Sequence, residues 1–336
     1  VTIMDVAAHA GVSRAAVSKV LRDAYGTSDS MRTRVNAAID ALGYRPSRAA
    51  RSLRGAGRTV GIDLPTIGDP SHPSIVNGIL SVLRPAGYHL MIVPVHGPDE
   101  LAVTAPVSVA DFQVDGIIGL SPVIDRPQLE KVARRVPTVV LGRHEPATAY
   151  DTVVGDDVEG TRLAMNHLFE LGHEHIAHVT GPETSTVATG NNAHSVRLFE
   201  YERLMRERGT AEAPPIVHIQ ADADENESHA DAVRLLQSCP ALTAIFAASD
   251  ALAMPVLHAR TDLDRTPLAV VGYDDTPLSR HRGIGLSSID QRQEEIGRTG
   301  AHLLLERIAG RTAPVHHVVR PELHVRASSM KSLRLV

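Results

Sequence analysis

The chain has one cysteine, Cys239, no tryptophan and only four phenylalanines in 336 residues. A single cysteine excludes an internal disulfide, which fits a reducing compartment. Beside Leu235 and Leu236 it reads as buried filler rather than a nucleophile. No apolar run approaches the length of a membrane span, and the first residues lack the layout of a secretory signal. The expectation is a soluble, cytoplasmic protein with no membrane partner. Catalytic signatures are absent as well. There is no Gly-x-Ser-x-Gly elbow and no phosphate loop ending in Gly-Lys-Ser/Thr. Gly283-Ile284-Gly285-Leu286-Ser287-Ser288 lacks the third glycine of a dinucleotide fingerprint. His173-Glu174-His175-Ile176-Ala177-His178 has one residue too many between its outer histidines for a zinc-protease motif, and it runs into a strand. No catalytic residue, cofactor or metal is expected.

What is present is unevenly charged. Residues 1–58 hold ten Arg/Lys against four Asp/Glu, a balance of +6. The rest holds 24 against 35, a balance of −11. A basic head on an acidic body is the electrostatic footprint of a phosphate-binding module. The length allows two or three domains, and 43% hydrophobic residues can fill a sizeable core.

The head reads as short helices. Thr2 can cap the first, with Asp5 reaching back to it. Gly11 permits a tight turn, and Ser13 can cap a second helix. Val17, Val20 and Leu21 fall at i, i+3 and i+4 and predict its buried face, leaving Arg14, Ala15, Ser18 and Lys19 outward. A third helix is predicted from Ser30 to Leu42, ended by Gly43. Two short helices joined by a glycine turn form a helix-turn-helix, whose second helix enters the DNA major groove. Arg14, Ala15 and Lys19 would face bases, while Thr2, Ser13 and Ser18 would fix register on phosphates. One such module reads a half-site, so a homodimer on a palindromic operator of double-stranded DNA is expected. Leu335-Val336 close the chain without a heptad run, so no coiled-coil tetramer is expected.

The run Thr2-Ile-Met-Asp-Val-Ala-Ala-His-Ala-Gly-Val-Ser13, then Val17-Ser-Lys-Val-Leu21, then Ala41-Leu-Gly-Tyr-Arg-Pro-Ser-Arg-Ala-Ala-Arg-Ser-Leu53, strongly resembles the lactose/galactose-repressor family of bacterial transcription regulators. The resemblance runs from Thr2 to Leu53. It implies that Arg48 and Leu53 lie on a hinge helix that pairs in a dimer, with Leu53 wedged into the minor groove. Alone, the piece from Arg48 to Arg54 is too short to stay helical.

From Val60 onward short apolar runs alternate with helical patterns. Strands are expected at Val60–Leu64, His89–Val93, Gly116–Leu120 and Thr138–Leu141, then at Ile176–Thr180, Ile216–Ile219, Ala244–Ala248 and Ala269–Gly272. Residues 99–113 are ambiguous, because Pro106 interrupts any helix there. Such alternation implies parallel sheets with helices on both faces. The expected fold is α/β: a helix-turn-helix head plus a two-lobed, periplasmic-binding-protein-like body of doubly wound sheets. The domains expected are a head over 1–45, a hinge over 46–58 and a ligand-binding, dimerising body over 59–336. Lobe one would take about 59–157 and 290–320, and lobe two about 158–289 and 321–330. A helix from Gln293 to Ile308 and a strand near Val315–Val319 would return to the first lobe.

Open parallel sheets bind ligands at the carboxyl ends of their strands. Asp69, Arg143, Asp250 and Asp274 follow predicted strands and are candidates. Weaker matches to the family continue here. Val271-Gly-Tyr-Asp-Asp275 resembles its Gly-Tyr-Asp-Asp motif, Arg197-Leu-Phe-Glu-Tyr201 its Arg-x-x-Gly-aromatic, and Ser288-Ile-Asp-Gln291 its Thr-Ile-x-Gln. The resemblance therefore implies Arg197 and Gln291, together with Ser71 after Asp69-Pro70. Ser71 and His72 stand where the family often has aromatics, Glu200 replaces a glycine, and Gln220–Ala223 lacks an aromatic. The expected effector is a small polar metabolite, a sugar or related compound, held without much ring stacking. The expected function is ligand-responsive repression. A nucleotide-dependent enzyme would need the missing fingerprints. An exported solute-binding protein would need a signal and no basic head.

Overall fold

The computed structural model describes residues 1–21, 27–43, 58–64, 67–94, 114–122, 124–181, 192–209, 215–219 and 225–330. The chain divides into two compact units, Val1–Gly57 and Arg58–Val336. The expected hinge helix with Arg48 and Leu53, the stretch 99–113 and the segment 220–223 lie outside the described residues or almost wholly so.

In the first unit, α1 spans Ile3–Ala10, α2 Arg14–Val20 and α3 Asp29–Leu42. Thr2 Oγ1 accepts from the Asp5 amide at 3.3 Å, and Asp5 Oδ2 accepts from the Thr2 amide at 2.7 Å, a reciprocal capping box. Gly11 takes the left-handed conformation that ends α1, at φ 65°. Ser13 caps α2 by accepting from the Ala16 amide at 3.2 Å. The three helices enclose Val6, Ala7, Ala10, Val17, Val20, Val35 and Ala38.

Two expectations for α2 are corrected. Leu21 is exposed and Ser18 is buried. The helix touches both α1 and α3, so its covered face is wide and turns toward Ser18. Leu21 is already the residue that closes the helix, and it falls outside the cluster. The third helix starts one residue earlier than expected, because Ser28 caps it by accepting from the Met31 amide.

Among the described residues the second unit contains two six-stranded sheets. Its strands are β1 (Thr59–Leu64), β2 (His89–Pro94), β3 (Gly116–Leu120), β4 (Thr138–Leu141), β5 (Asp151–Gly155), β6 (Ile176–Thr180), β7 (Ile216–His218), β8 (Ala244–Ala247), β9 (Ala269–Tyr273), β10 (Ser287–Asp290), β11 (His316–Val319) and β12 (Glu322–His324). Its helices are α4 (His72–Leu83), α5 (Arg126–Ala133), α6 (Asp157–Glu170), α7 (Ala193–Glu207), α8 (Glu225–Ser238), α9 (Asp250–Asp262) and α10 (Gln293–Ile308). Sheet one runs β11-β5-β4-β3-β1-β2 and is parallel throughout. Sheet two runs β12-β10-β9-β8-β6-β7, with β12 antiparallel to β10. The runs at β3, β4 and β6 are buried on both faces, as helix-covered central parallel strands must be, whereas the edge strands β2 and β7 are partly exposed.

The two expected series of four strands are thus six and six. The chain leaves sheet one after β5, returns after β10 through α10 and β11, and crosses again to β12. Helix α10 lies on α4 so closely that a Cβ on Gly78 would sit 2.1 Å from the Glu294 carbonyl oxygen. The core between sheet one and these two helices includes Val60, Ile62 and Val139 of the sheet, Ile79 and Leu83 of α4, and Leu304 of α10. Sheet two has a core on each face, one around Ile245, Val256 and Val270, the other around Met165, Tyr201, Phe246 and Tyr273.

Candidate functional site

The head presents Arg14, Ala15 and Lys19 as exposed residues of α2. Thr2 and Ser13 are exposed too, although both side chains already cap helices. Ser18 is withdrawn into the helix packing.

In the second unit the candidates sit where parallel strands end. Arg197 lies on α7 and is 2% exposed. Its Nε donates to Asp157 Oδ1 at 2.7 Å, and its Nη1 donates to the Ala248 carbonyl at 2.5 Å. Its guanidinium carbon lies 3.5 Å from the centre of the Tyr273 ring, a cation–π contact. The ring fits because Gly160 on α6 has no side chain: a Cβ there would stand 2.1 Å from the Tyr273 hydroxyl. Asp157 Oδ2 is 2.7 Å from His144 Nε2. Burial works to raise the Asp157 acid, but the Arg197 charge and the His144 contact outweigh it and hold it low.

Asp274 follows β9 with φ 104°, an unusual backbone for a residue with a side chain. Its amide donates to the Ile289 carbonyl at 2.8 Å, and its Oδ1 accepts from Gln291 Nε2 at 2.5 Å. Gln291 lies against the end of β5, since a Cβ on Gly155 would be 3.3 Å from its Oε1. It therefore touches residues of both sheets. Burial pushes the Asp274 acid well above the usual carboxylate range; Arg197 opposes, while Asp250 and Asp69 push the same way. A neutral Asp274 can donate as well as accept.

Asp69 stands at the entry to α4. Its Oδ1 accepts from the Ser71 amide at 2.8 Å, and its Oδ2 is 3.7 Å from His72 Nε2. It acts electrostatically on both Asp274 and His194. Ser71 itself is buried.

The structure thus brings Asp69, Arg197, Asp274 and Gln291 into one electrostatic group. Asp250 sits behind it. One carboxylate oxygen accepts from the Thr276 amide and hydroxyl at 2.7 and 2.9 Å, the other from the Ser288 hydroxyl at 2.6 Å. Burial raises its acid, and those donors oppose the rise. It holds the loop that carries Asp274, and its charge acts on Asp274 more strongly than that of Asp69. Arg143 lies beside the start of α7, where its backbone bridges Asn192. Its guanidinium donates to the Ile124 carbonyl at 2.8 Å and to Glu145 at 3.0 Å. Glu145 takes one Nη of the fork, while the Nε has no hydrogen-bond partner among the described residues.

Three members were missed from sequence: His144, Asp157 and His194. His194 precedes Arg197 by three residues on α7, a spacing that puts both on one face. Burial first and the Arg197 charge second push its imidazole down to about 4. The available signal was that helical spacing; nothing local pointed to Asp157 or His144. His178 is stacked between Tyr201 and Phe246, with ring centres 4.9 Å from each.

Among the described residues no helix is long and apolar enough to cross a membrane. Residues 2–47 match the family described as bacterial regulatory proteins, lacI family, and residues 165–329 match a periplasmic binding protein-like domain. The chain is 30% identical to the ribose operon repressor of Escherichia coli (strain K12) over 314 residues, covering 91% of this chain and 93% of that one. It also resembles the solved transcriptional regulator CelR–cellobiose complex at 30% identity and TM-score 0.70, over 98% of this chain and all of that one (100%). The lac repressor dimer bound to operator and the anti-inducer ONPF superposes with TM-score 0.78 at 25% identity, over 98% of this chain and 99% of that one. A capped helix-turn-helix head and a body of two wound sheets, matched along nearly their whole length, place the protein in the lacI family of bacterial regulatory proteins, as a ligand-responsive, DNA-binding regulator of transcription.

Proposed function

We propose that this chain is a cytoplasmic repressor, without enzymatic activity, that binds a palindromic operator as a homodimer and responds to a small polar effector, a sugar or related compound. The proposed division is a head over 1–45, a hinge over 46–58 and a two-lobed body over 59–336. Arg14, Ala15 and Lys19 read base edges, and Thr2 and Ser13 set register on phosphates. Arg48 and Leu53 are assigned to the hinge, with Leu53 as the minor-groove wedge.

The effector is held by Asp69, Arg197, Asp274 and Gln291, with Ser71 beside Asp69. Asp250 and Arg143 act as supports that shape the two sides. The observation that carries this reading is Gln291, which bonds Asp274 of one lobe while lying against β5 of the other. A compound that changes how those residues meet changes how the lobes meet, provided it binds one arrangement better than the other. One face of Tyr273 is already covered by Arg197, which favours recognition by hydrogen bonds over stacking. The relatives whose names mention ribose and cellobiose favour a sugar.

The test is to ask which fragments of the source genome the purified protein retains, and then which metabolites alter that retention. Selective retention that one polar metabolite changes supports the proposal. Equal retention of genomic and random duplex, with or without metabolites, overturns it.

A further inference from the structure

Lobe two carries a group of polar side chains that DNA binding and effector binding do not use. Helices α8 and α9 pack against each other. There His229 of α8 meets His258 and Asp262 of α9. His258 and Asp262 are four residues apart, so one helical turn aligns them. Nε2 of His229 lies 3.1 Å from Oδ2 of Asp262, and Nε2 of His258 lies 3.7 Å from the same oxygen. The two imidazoles face each other with ring centres 4.2 Å apart and a tilt of 32°.

We propose that His229, His258 and Asp262 form a site for a divalent transition metal of the zinc type. A tetrahedral zinc ion has bonds of about 2.0–2.2 Å, which holds its ligand atoms roughly 3.3–3.5 Å apart. The two N–O separations fall on either side of that range, and the three ligand atoms all lie within 4.8 Å of one another, so side-chain movements bring them onto one ion. Two imidazoles and one carboxylate form a donor set that zinc accepts in open sites, with water in the fourth position. Calcium and magnesium prefer all-oxygen shells and are disfavoured by the two nitrogens. Nδ1 of His229 is buried with no hydrogen-bond partner among the described residues, so Nε2 is the nitrogen this ring offers. His258 and Asp262 are exposed, which leaves the ion a path in.

A second cluster, Asp275, Asp290 and His324, has comparable spacing but unsuitable electrostatics. Asp275 already pairs with Arg326 at 2.6 Å and Arg280 at 3.0 Å, so an entering dication would meet two guanidinium charges. Among the described residues the ion pairs of Asp262 are with the two histidines alone. A bound ion would clamp the last turn of α9 to α8.

The experiment titrates Zn2+ into the intact protein against a chromophoric chelator. The wild type is compared with the double variant His229→Asn/His258→Asn and with Asp262→Asn. The other histidines are common to all three proteins and cancel in the comparison. The wild type should bind one more equivalent per chain than the double variant, and Asp262→Asn should bind that equivalent about tenfold or more weakly. Metal-free melting temperatures check that the variants fold. Zn2+ should then raise the wild-type melting temperature more than that of the double variant. Equal stoichiometry and affinity in all three proteins would overturn the site. So would one ion shared between two chains with zinc-induced association, because the three ligands would then not serve within one chain.

Discussion

Arg197 donates its Nε proton to Asp157 at 2.7 Å while its guanidinium carbon rests 3.5 Å from the centre of the Tyr273 ring. Asp157 opens α6, just past β5, where the chain leaves sheet one. The ion pair therefore anchors the crossing into the second lobe. Removing one partner of a buried pair leaves an uncompensated charge and costs about 3–5 kcal/mol. Arg197→Ala should lose stability of that order in urea unfolding. Arg197→Lys keeps a charge but not the planar fork. It should recover part of the stability while the effector response stays impaired. If the lysine variant responds to effector normally, the fork is a structural group and not a ligand contact.

Gln291→Ala tests the residue that touches both lobes. The substitution removes the donor to Asp274 and leaves a buried acid without that partner, an effect worth about 1–3 kcal/mol. The effector concentration needed for half-maximal response should rise about tenfold, which corresponds to about 1.4 kcal/mol. Operator affinity without effector should change little. Titrating effector into an operator complex followed by fluorescence anisotropy reads both quantities. An unchanged midpoint would remove Gln291 from the effector site.

How much was legible follows the range over which each feature is determined. The head was readable because capping is local: Thr2 with Asp5, Ser13 with Ala16 and Gly11 with its positive φ are each settled within four residues. The face of α2 was misjudged at Ser18 and Leu21 because contacts with α1 and α3 decide which side is covered. Strands with apolar runs were found. Three others are short or carry polar residues. β5 begins with Asp151, buried against Arg307 at 2.9 Å, a pairing 156 residues away that no local pattern reveals. β10 reads Ser-Ser-Ile-Asp, and β12 has three residues. The same limit applies at the site. Arg143 and Arg197 look alike as strand-end or motif arginines, each pairs with its own carboxylate, and only the fold shows that the Arg197 charge acts on Asp274.

Arg14→Ala should cost about 1–3 kcal/mol of operator affinity and relax preference at one base position, if the side chain takes a guanine edge. The head should melt unchanged, because the side chain is exposed and lies outside its apolar cluster. Affinity measured on the operator and on single-base variants gives the pattern. A uniform loss on operator and random duplex alike would instead make Arg14 a phosphate contact.

Asp63 on β1 is 1% exposed, and its Oδ2 finds no hydrogen-bond partner among the described residues. Burial pushes its acid up to about 7, against a backbone hydrogen bond at Leu120 that pulls the other way. A folded-state acid raised above its unfolded value of 3.8 favours the fold fully below that value. Its contribution is lost as pH climbs from about 4 through about 7. Some three units correspond to roughly 4 kcal/mol, an order-of-magnitude ceiling. His178 and His194 work in the opposite direction. Burial depresses them to about 3 and about 4, so their contribution is lost as pH falls below the ordinary histidine value of 6.5. The wild-type profile alone mixes these trends, but Asp63→Asn removes only the first. Stability from urea unfolding should therefore fall for the wild type relative to the variant between pH 4 and pH 8. The variant should be the more stable protein at the upper end. The asparagine amide cannot ionise and keeps nearly the same shape, so packing changes contribute a constant offset rather than a slope. Parallel curves across that window would mean that Asp63 ionises as easily in the fold as in the unfolded chain.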